Sequence, residues 1–212
     1  QYHISLRRRL PAIDIPEGKN LVGAFYQPSL VLADIDTLSS LPKQIYLDGM
    51  GEGVKYALLD SSIFDIVNAD KLDLAEFVYA CVKYKAYIVE CDEFEGGKRK
   101  LLNLGHTIAH GIEGLSNFSI SHGRAVGMGL KIITKASFKH NLISREEQDK
   151  ILNLLDKLLG QDKCPYPIEE VLKIALVDKK RKGDFITLVM VNGIGNCIFI
   201  DVEVKRLAEY FL

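Results

Sequence analysis

At 212 residues the chain has room for one domain or two small ones, and 48% hydrophobic with 26% charged residues lets it bury a sizeable core. A formal net charge of −1, with only short, isolated basic runs such as Arg7-Arg8-Arg9 and Lys179-Lys180-Arg181-Lys182, leaves no electrostatic footprint for nucleic acid or an anionic membrane. No apolar run approaches a membrane span, and the four scattered cysteines (Cys81, Cys91, Cys164, Cys197) disfavour a zinc knuckle or disulfide framework and suit a reducing cytoplasm.

Gln1 is not an initiator methionine and no apolar signal-peptide core follows it, so the chain reads as a soluble intracellular protein or part of one. Residues 1–28 read as irregular, because Pro11, Pro16, Gly18, Gly23 and Pro28 break any period. SLVLADID (29–36) reads as a short buried strand, an apolar run ending in acidic turn residues. From there the pattern is helical, over 45–58, 61–69, 73–92, 98–115, 123–139, 145–159 and 167–176. Thr37, Asp60, Ser61 and Ser144 stand at N-cap positions, and SREE (144–147) has capping-box spacing. DFITLVMVNGIGNCIFI (184–200) reads as a hairpin of two apolar strands around Asn192-Gly193, and a terminal helix over 201–211 closes the chain. The fold class expected is mainly α, with a short strand near the N-terminus and a small β-hairpin near the C-terminus.

Several polar residues sit where apolar ones belong. LNLGHTIAHGIE (102–113) sets His106 and His110 four apart, on one helical face, as either half of a metal site or two histidines of an ordinary helix. The zinc-protease pattern would need Glu after the first His, where Thr107 stands. In the helix expected over 98–115, Leu101, Leu104, Ile108, Ile112 and Leu115 form an apolar stripe. Arg99, Asn103, His106 and His110 form a second stripe on the far side, which reads equally as a functional face or a mixed surface. Lys85 falls on the apolar stripe of Leu74, Val78, Cys81 and Ile88, so it must snorkel or meet an anion. Glu52 and Lys55 are adjacent on a glycine-flanked helix, a surface ion pair or part of a site. His122 opens a helix whose Gly123, Gly127 and Gly129 favour tight packing.

Together, Glu52, His106 and His122 offer one carboxylate and two imidazoles from three helices, the ligand set of a catalytic zinc with an open fourth position. Lys55, Lys85, Arg99 and Asn103 add the donors that a phosphorylated or polyhydroxylated substrate requires.

Five segments in order, GKNLVGAFYQP (18–28), GEGVKY (51–56), DEFEGGKRKLLNLGHTIAH (92–110), HGRAVGMG (122–129) and DKKRKGDFITLVMVNGIG (178–195), resemble 3-dehydroquinate synthase from about Ile13 onward. The resemblance implies a shikimate-pathway lyase that uses NAD and a divalent metal, zinc or cobalt. It would convert 3-deoxy-arabino-heptulosonate 7-phosphate into 3-dehydroquinate and phosphate by transient oxidation, phosphate loss, hydride return and ring closure. It also implies a homodimer for the complete enzyme, and a Rossmann-like NAD domain followed by a helical domain. This chain would supply the helical domain over 29–212, with 1–28 a remnant of the first.

Carried over by resemblance, Glu52, His106 and His122 are the metal ligands, which replaces the local reading of His106 and His110 as a ligand pair. His110 becomes a proton-transfer and phosphate-contacting residue, and Glu95 a second proton acceptor. Lys55, Lys85, Arg99, Asn103 and one of Lys179 and Lys180 become substrate contacts. Lys19 and Asn20 lie near the NAD–substrate junction, and Thr37 to Ser40 on the adenosine side.

Two departures stand out. A family stretch like DSSVGGKT is replaced by ISLRRRLP (4–11), and the family's HGE becomes His122-Gly123-Arg124. Without a GxGxxG-like loop, the 212-residue chain is expected neither to bind NAD tightly nor to turn over alone. A related sugar-phosphate cyclase making a deoxy-inosose or valiolone product, and a non-catalytic helical module, are the competing readings.

Overall fold

The structure, a computed structural model, describes residues 12–15, 18–23, 30–94, 96–177 and 184–212, with 12–15, 18–23 and 177 described by backbone alone. It opens on two short antiparallel strands, β1 (Ala12–Ile15) and β2 (Gly18–Gly23), with an irregularity between Ile13 and Ile15. The expectation of irregular chain throughout 1–28 is corrected there. Prolines and glycines broke the period, yet a four-residue strand fits between Pro11 and Pro16 and a six-residue strand runs from Gly18 to Gly23.

The strand expected over 29–36 does not form. Residues 30–34 have no regular structure and Ile35–Ser40 is a 3-10 turn capped by Asp34, whose carboxylate accepts the Asp36 N–H at 3.0 Å. Leu30 and Leu32 stand 79% and 85% exposed. An apolar run makes a strand only where an edge exists to pair with, and here the two aspartates take the backbone into a turn instead.

The body is helical: α1 (Lys43–Leu59), α2 (Ser61–Asn68), α3 (Leu74–Cys91), α4 (His106–Leu115), α5 (His122–Lys139), α6 (Arg145–Leu159), α7 (Ile168–Val177) and the short α8 (Leu207–Phe211). Asp60 caps α2 through the Ser62 N–H, and Ser144 with Glu147 closes a reciprocal capping box on α6. Asp73 caps α3, whereas Thr37 caps nothing and spends its hydroxyl on the Asp34 carbonyl.

Helix α5 is the axis of the molecule, packing against α4, α1 and α6. Val54, Leu58, Leu104, Ile108, Ile112, Leu130, Ile151 and Leu155 are buried in one cluster between them. Each large side chain so buried contributes roughly 1.5–3 kcal/mol of transfer free energy. On the other side of α5 lies the antiparallel hairpin β3 (Phe185–Val191) and β4 (Cys197–Glu203), tied on by the Val191 N–H donating to Ser137 Oγ at 3.1 Å. Its loop is five residues, 192–196, rather than a two-residue turn. Gly195 (φ +77) runs so close to the start of α2 that a Cβ there would overlap Ser61. The terminal helix is shorter than expected, because β4 runs to Glu203 and a 3-10 turn follows.

The helix expected over 98–115 is two elements. Lys98–Asn103 is a 3-10 turn, and Gly105 at φ +77 breaks the chain before α4 begins at His106. All four cysteines are free, and among the described residues no helix is long and apolar enough to cross a membrane.

Candidate metal centre

The centre begins with backbone contact between α1 and the start of α5. A Cβ on Gly51 would overlap the Gly123 carbonyl, and one on Gly123 would overlap the Asp48 carbonyl, so only glycines permit this approach. Ser121, at the N-cap position of α5, makes no side-chain cap. Instead Asp48 of α1 caps the helix in trans, its buried Oδ1 accepting Gly123 N–H at 2.6 Å and Arg124 N–H at 3.2 Å. Glu52 lies one turn further along α1. The same docking therefore sets Glu52 opposite His122, the first residue of α5.

Glu52 Oε1 lies 2.8 Å from His122 Nε2 and 3.0 Å from His106 Nε2, the latter carried by the first residue of α4. The other oxygen, Oε2, accepts from Lys55 Nζ at 2.8 Å, and Lys55, only 3% exposed, also donates to the Leu102 carbonyl at 2.8 Å. Burial opposes ionisation of Glu52. The Lys55 charge and the two histidine hydrogen bonds outweigh it and hold the carboxyl well below the usual range. His106 Nδ1 lies 3.1 Å from the Leu104 carbonyl, which can only accept, so the tautomer that donates there is the one that would turn a bare Nε2 to an ion. Burial, then Lys55, lowers the His106 pKa and keeps the ring neutral. His122 is held between Glu113, 3.1 Å from Nδ1, and Glu52; hydrogen bonds to Glu113 first and Glu52 second raise it to about 10.

This donor set fits a divalent ion. One oxygen and two imidazole nitrogens lie within 4.8 Å of one another. Bonds of about 2.0–2.1 Å at tetrahedral angles would separate ligand atoms by about 3.3 Å, a few tenths more than the 3.0 and 2.8 Å from Glu52 Oε1 to the two imidazoles. The three donors come from three helices, the rigid kind of support a metal site needs.

His110 stands exposed beside the centre, its ring centroid 5.8 Å from that of His106 and 6.2 Å from that of His122. Arg99 is buried and its Nη1 donates to the Glu93 carbonyl at 3.0 Å, while Asn103 is exposed, so the break at Gly105 divides the stripe read as one continuous face. Asp92 organises this loop by accepting the N–H groups of Gly96, Gly97 and Arg99. Lys85 is half-buried on α3. Thr37 and Ser40 are exposed, their hydroxyls donating to the Asp34 and Thr37 carbonyls. Glu95, Lys179 and Lys180 lie outside the described residues, as do the side chains of Lys19 and Asn20. Arg124 forms an ion pair with Asp162 through Nε at 3.0 Å and Nη2 at 2.6 Å.

Three acidic residues that shape the centre, Asp48, Asp92 and Glu113, carry no role in the sequence reading. Two had a signal: Asp48 is four residues before Glu52, and Glu113 is seven after His106, each on the face of a ligand.

Residues 49–181 match the family description 3-dehydroquinate synthase C-terminal, and residues 10–48 match 3-dehydroquinate synthase N-terminal. The 3-dehydroquinate synthase of Pelobacter propionicus is 35% identical, over 92% of this chain and 58% of its own length. That of Clostridium acetobutylicum is 37% identical, over 94% of this chain and 58% of its own. The chain thus spans 58% of the length of either relative. Among solved structures, 2-deoxy-scyllo-inosose synthase complexed with carbaglucose-6-phosphate, NAD+ and Co2+ superimposes with a TM-score of 0.78 at 25% identity, covering 96% of this chain and 61% of that one.

Proposed function

The chain belongs to the 3-dehydroquinate synthase family, and we propose on that basis that it is the metal- and substrate-binding part of such an enzyme. The complete enzyme would be an NAD- and metal-dependent lyase converting 3-deoxy-arabino-heptulosonate 7-phosphate into 3-dehydroquinate and phosphate. The observation that carries this reading is the convergence of Glu52, His106 and His122 on one point, from α1, α4 and α5. Bound there, zinc or cobalt would polarise the oxygen of the alcohol that NAD oxidises.

The chain's own residues divide the remaining work. Lys55 keeps Glu52 ionised by pairing with its second oxygen. His110, exposed at the rim, is placed to carry a proton between the substrate and solvent, with Glu95 as the other acceptor. Lys85, Arg99, Asn103 and one of Lys179 and Lys180 hold the phosphate and hydroxyl groups. Lys19 and Asn20 meet the NAD–substrate junction. Thr37 and Ser40, whose hydroxyl protons are already committed to backbone carbonyls, would meet the adenosine as acceptors. We assign residues 1–28 to the nucleotide-binding domain and 29–212 to the helical one, and expect the complete enzyme to sediment as a homodimer.

Metal content tests the reading. After dialysis against buffered zinc, the wild-type chain should retain one ion, while His106→Ala and His122→Ala should lose most of it. Full retention by both variants would remove the centre from this position. The fold shared with 2-deoxy-scyllo-inosose synthase supports a second reading, a cyclase acting on another sugar phosphate. Product analysis of the complete enzyme with the heptulosonate phosphate and with glucose 6-phosphate decides between the two.

A further inference from the structure

We propose that Glu113 is a positioning residue of the metal centre, holding the His122 ring by Nδ1 so that Nε2 faces Glu52 and His106. The inference rests on the reading of Glu52, His106 and His122 as metal ligands. The two histidines are oriented by different means. His106 has its Nδ1 against a backbone carbonyl two residues away, fixed by the turn at Leu104 and Gly105. His122 opens α5 with its side chain 33% exposed, and its Nδ1 contact is a carboxylate on another helix. Glu113 reaches it because it lies seven residues after His106 on α4, hence on the same face. Its side chain is only 13% exposed, and Oε2 stands 3.1 Å from Nδ1. A carboxylate accepting the outer N–H of a ligating imidazole fixes the tautomer and raises the basicity of the inner nitrogen.

A different arrangement of the same atoms makes Glu113 a ligand itself, since His110, Glu113 and His122 also lie within 4.8 Å of one another. That would need His122 to present Nδ1 to one ion while Nε2, 2.8 Å from Glu52, serves another. A single ring would then bridge two cations after losing both protons. The outer role demands nothing of this kind.

The test uses the 212-residue chain, stripped by chelator and titrated with cobalt followed by its visible absorption, with zinc measured by competition against a chromogenic chelator. Glu113→Ala should bind one ion about 10–100-fold more weakly than wild type and shift the cobalt bands. Glu113→Gln, which keeps an acceptor oxygen, should recover much of that loss. Thermal unfolding of the metal-free proteins identifies a variant that fails to fold; should alanine do so, Glu113→Leu, which keeps bulk but offers no acceptor, carries the test, and affinity equal to wild type then overturns the proposal. Wild-type affinity and spectrum in a folded Glu113→Ala, with His106→Ala unable to bind, overturns the outer role and leaves the centre standing. Two ions per wild-type chain, reduced to one by both His110→Ala and Glu113→Ala, would make Glu113 a ligand and overturn it differently. If His106→Ala binds as wild type does, the centre itself is misplaced and this inference falls with it.

Discussion

The carboxylate of Asp92 accepts the N–H groups of Arg99, Gly97 and Gly96 at 2.9, 2.8 and 2.9 Å, and so shapes the loop that leads from α3 to Arg99. Those bonds, Arg99's foremost, hold the carboxyl below the usual aspartate range. A carboxyl depressed in the folded state stabilises it above the unfolded value of about 3.9, and that contribution is lost as pH falls through the folded value. The amide resonances of Gly96, Gly97 and Arg99 should therefore stay still from neutral pH down to about 4 and move together only below it. A midpoint at or above the unfolded value would contradict the clamp. Asp92 escapes a sequence reading because an aspartate in a polar stretch looks solvated. Its loop partners are backbone groups, which no residue pattern reveals. The candidate ligands show a related limit: spacing tells that His106 and His110 share a face, but not which helix meets it. Glu52 and His122 are 70 residues apart, and the ligand set was assigned by matching five family segments rather than by periodicity.

At the level of elements, what local chemistry determines was legible. The spans of α1 to α3 and α5 to α7 and the caps at Asp60 and Ser144 follow from apolar spacing and side-chain acceptors near the chain ends they serve. What depends on a neighbour was not. The period from 98 to 115 is unbroken in sequence, yet α5 presses on Gly105: a Cβ on Gly129 would overlap the Gly105 carbonyl, and a Cβ on Gly105 would meet Leu130. The left-handed bend there turns His106 Nδ1 to the Leu104 carbonyl. Gly105→Ala should destabilise the chain by about 1–2 kcal/mol through the φ penalty alone, read as a lower urea midpoint. It should also weaken metal binding, because α4 would no longer start at the same angle. An unchanged midpoint and affinity would show that the bend is not what orients His106.

For the molecule as a whole, the mainly helical class and the C-terminal hairpin were readable, because composition and period constrain them directly. The exposed Leu30–Ile35 segment was not, because an apolar run carries no record of whether an edge exists to receive it. Nor does sequence show that α1 and α5 meet through bare backbone at Gly51 and Gly123. This junction has a kinetic consequence. Amides in the first turn of a helix ordinarily trade their hydrogens with solvent quickly, since no carbonyl within the helix holds them. Gly123 N–H is held by a carboxylate on α1 and is buried beneath it, so deuterium can reach it only when α1 lifts from α5. Its exchange should be orders of magnitude slower than that of the first-turn amides of α6, whose cap lies at the exposed surface. Bound metal should slow it further, because the ligands span the same seam, so the isotope content of this one amide becomes a clock for the opening of the centre.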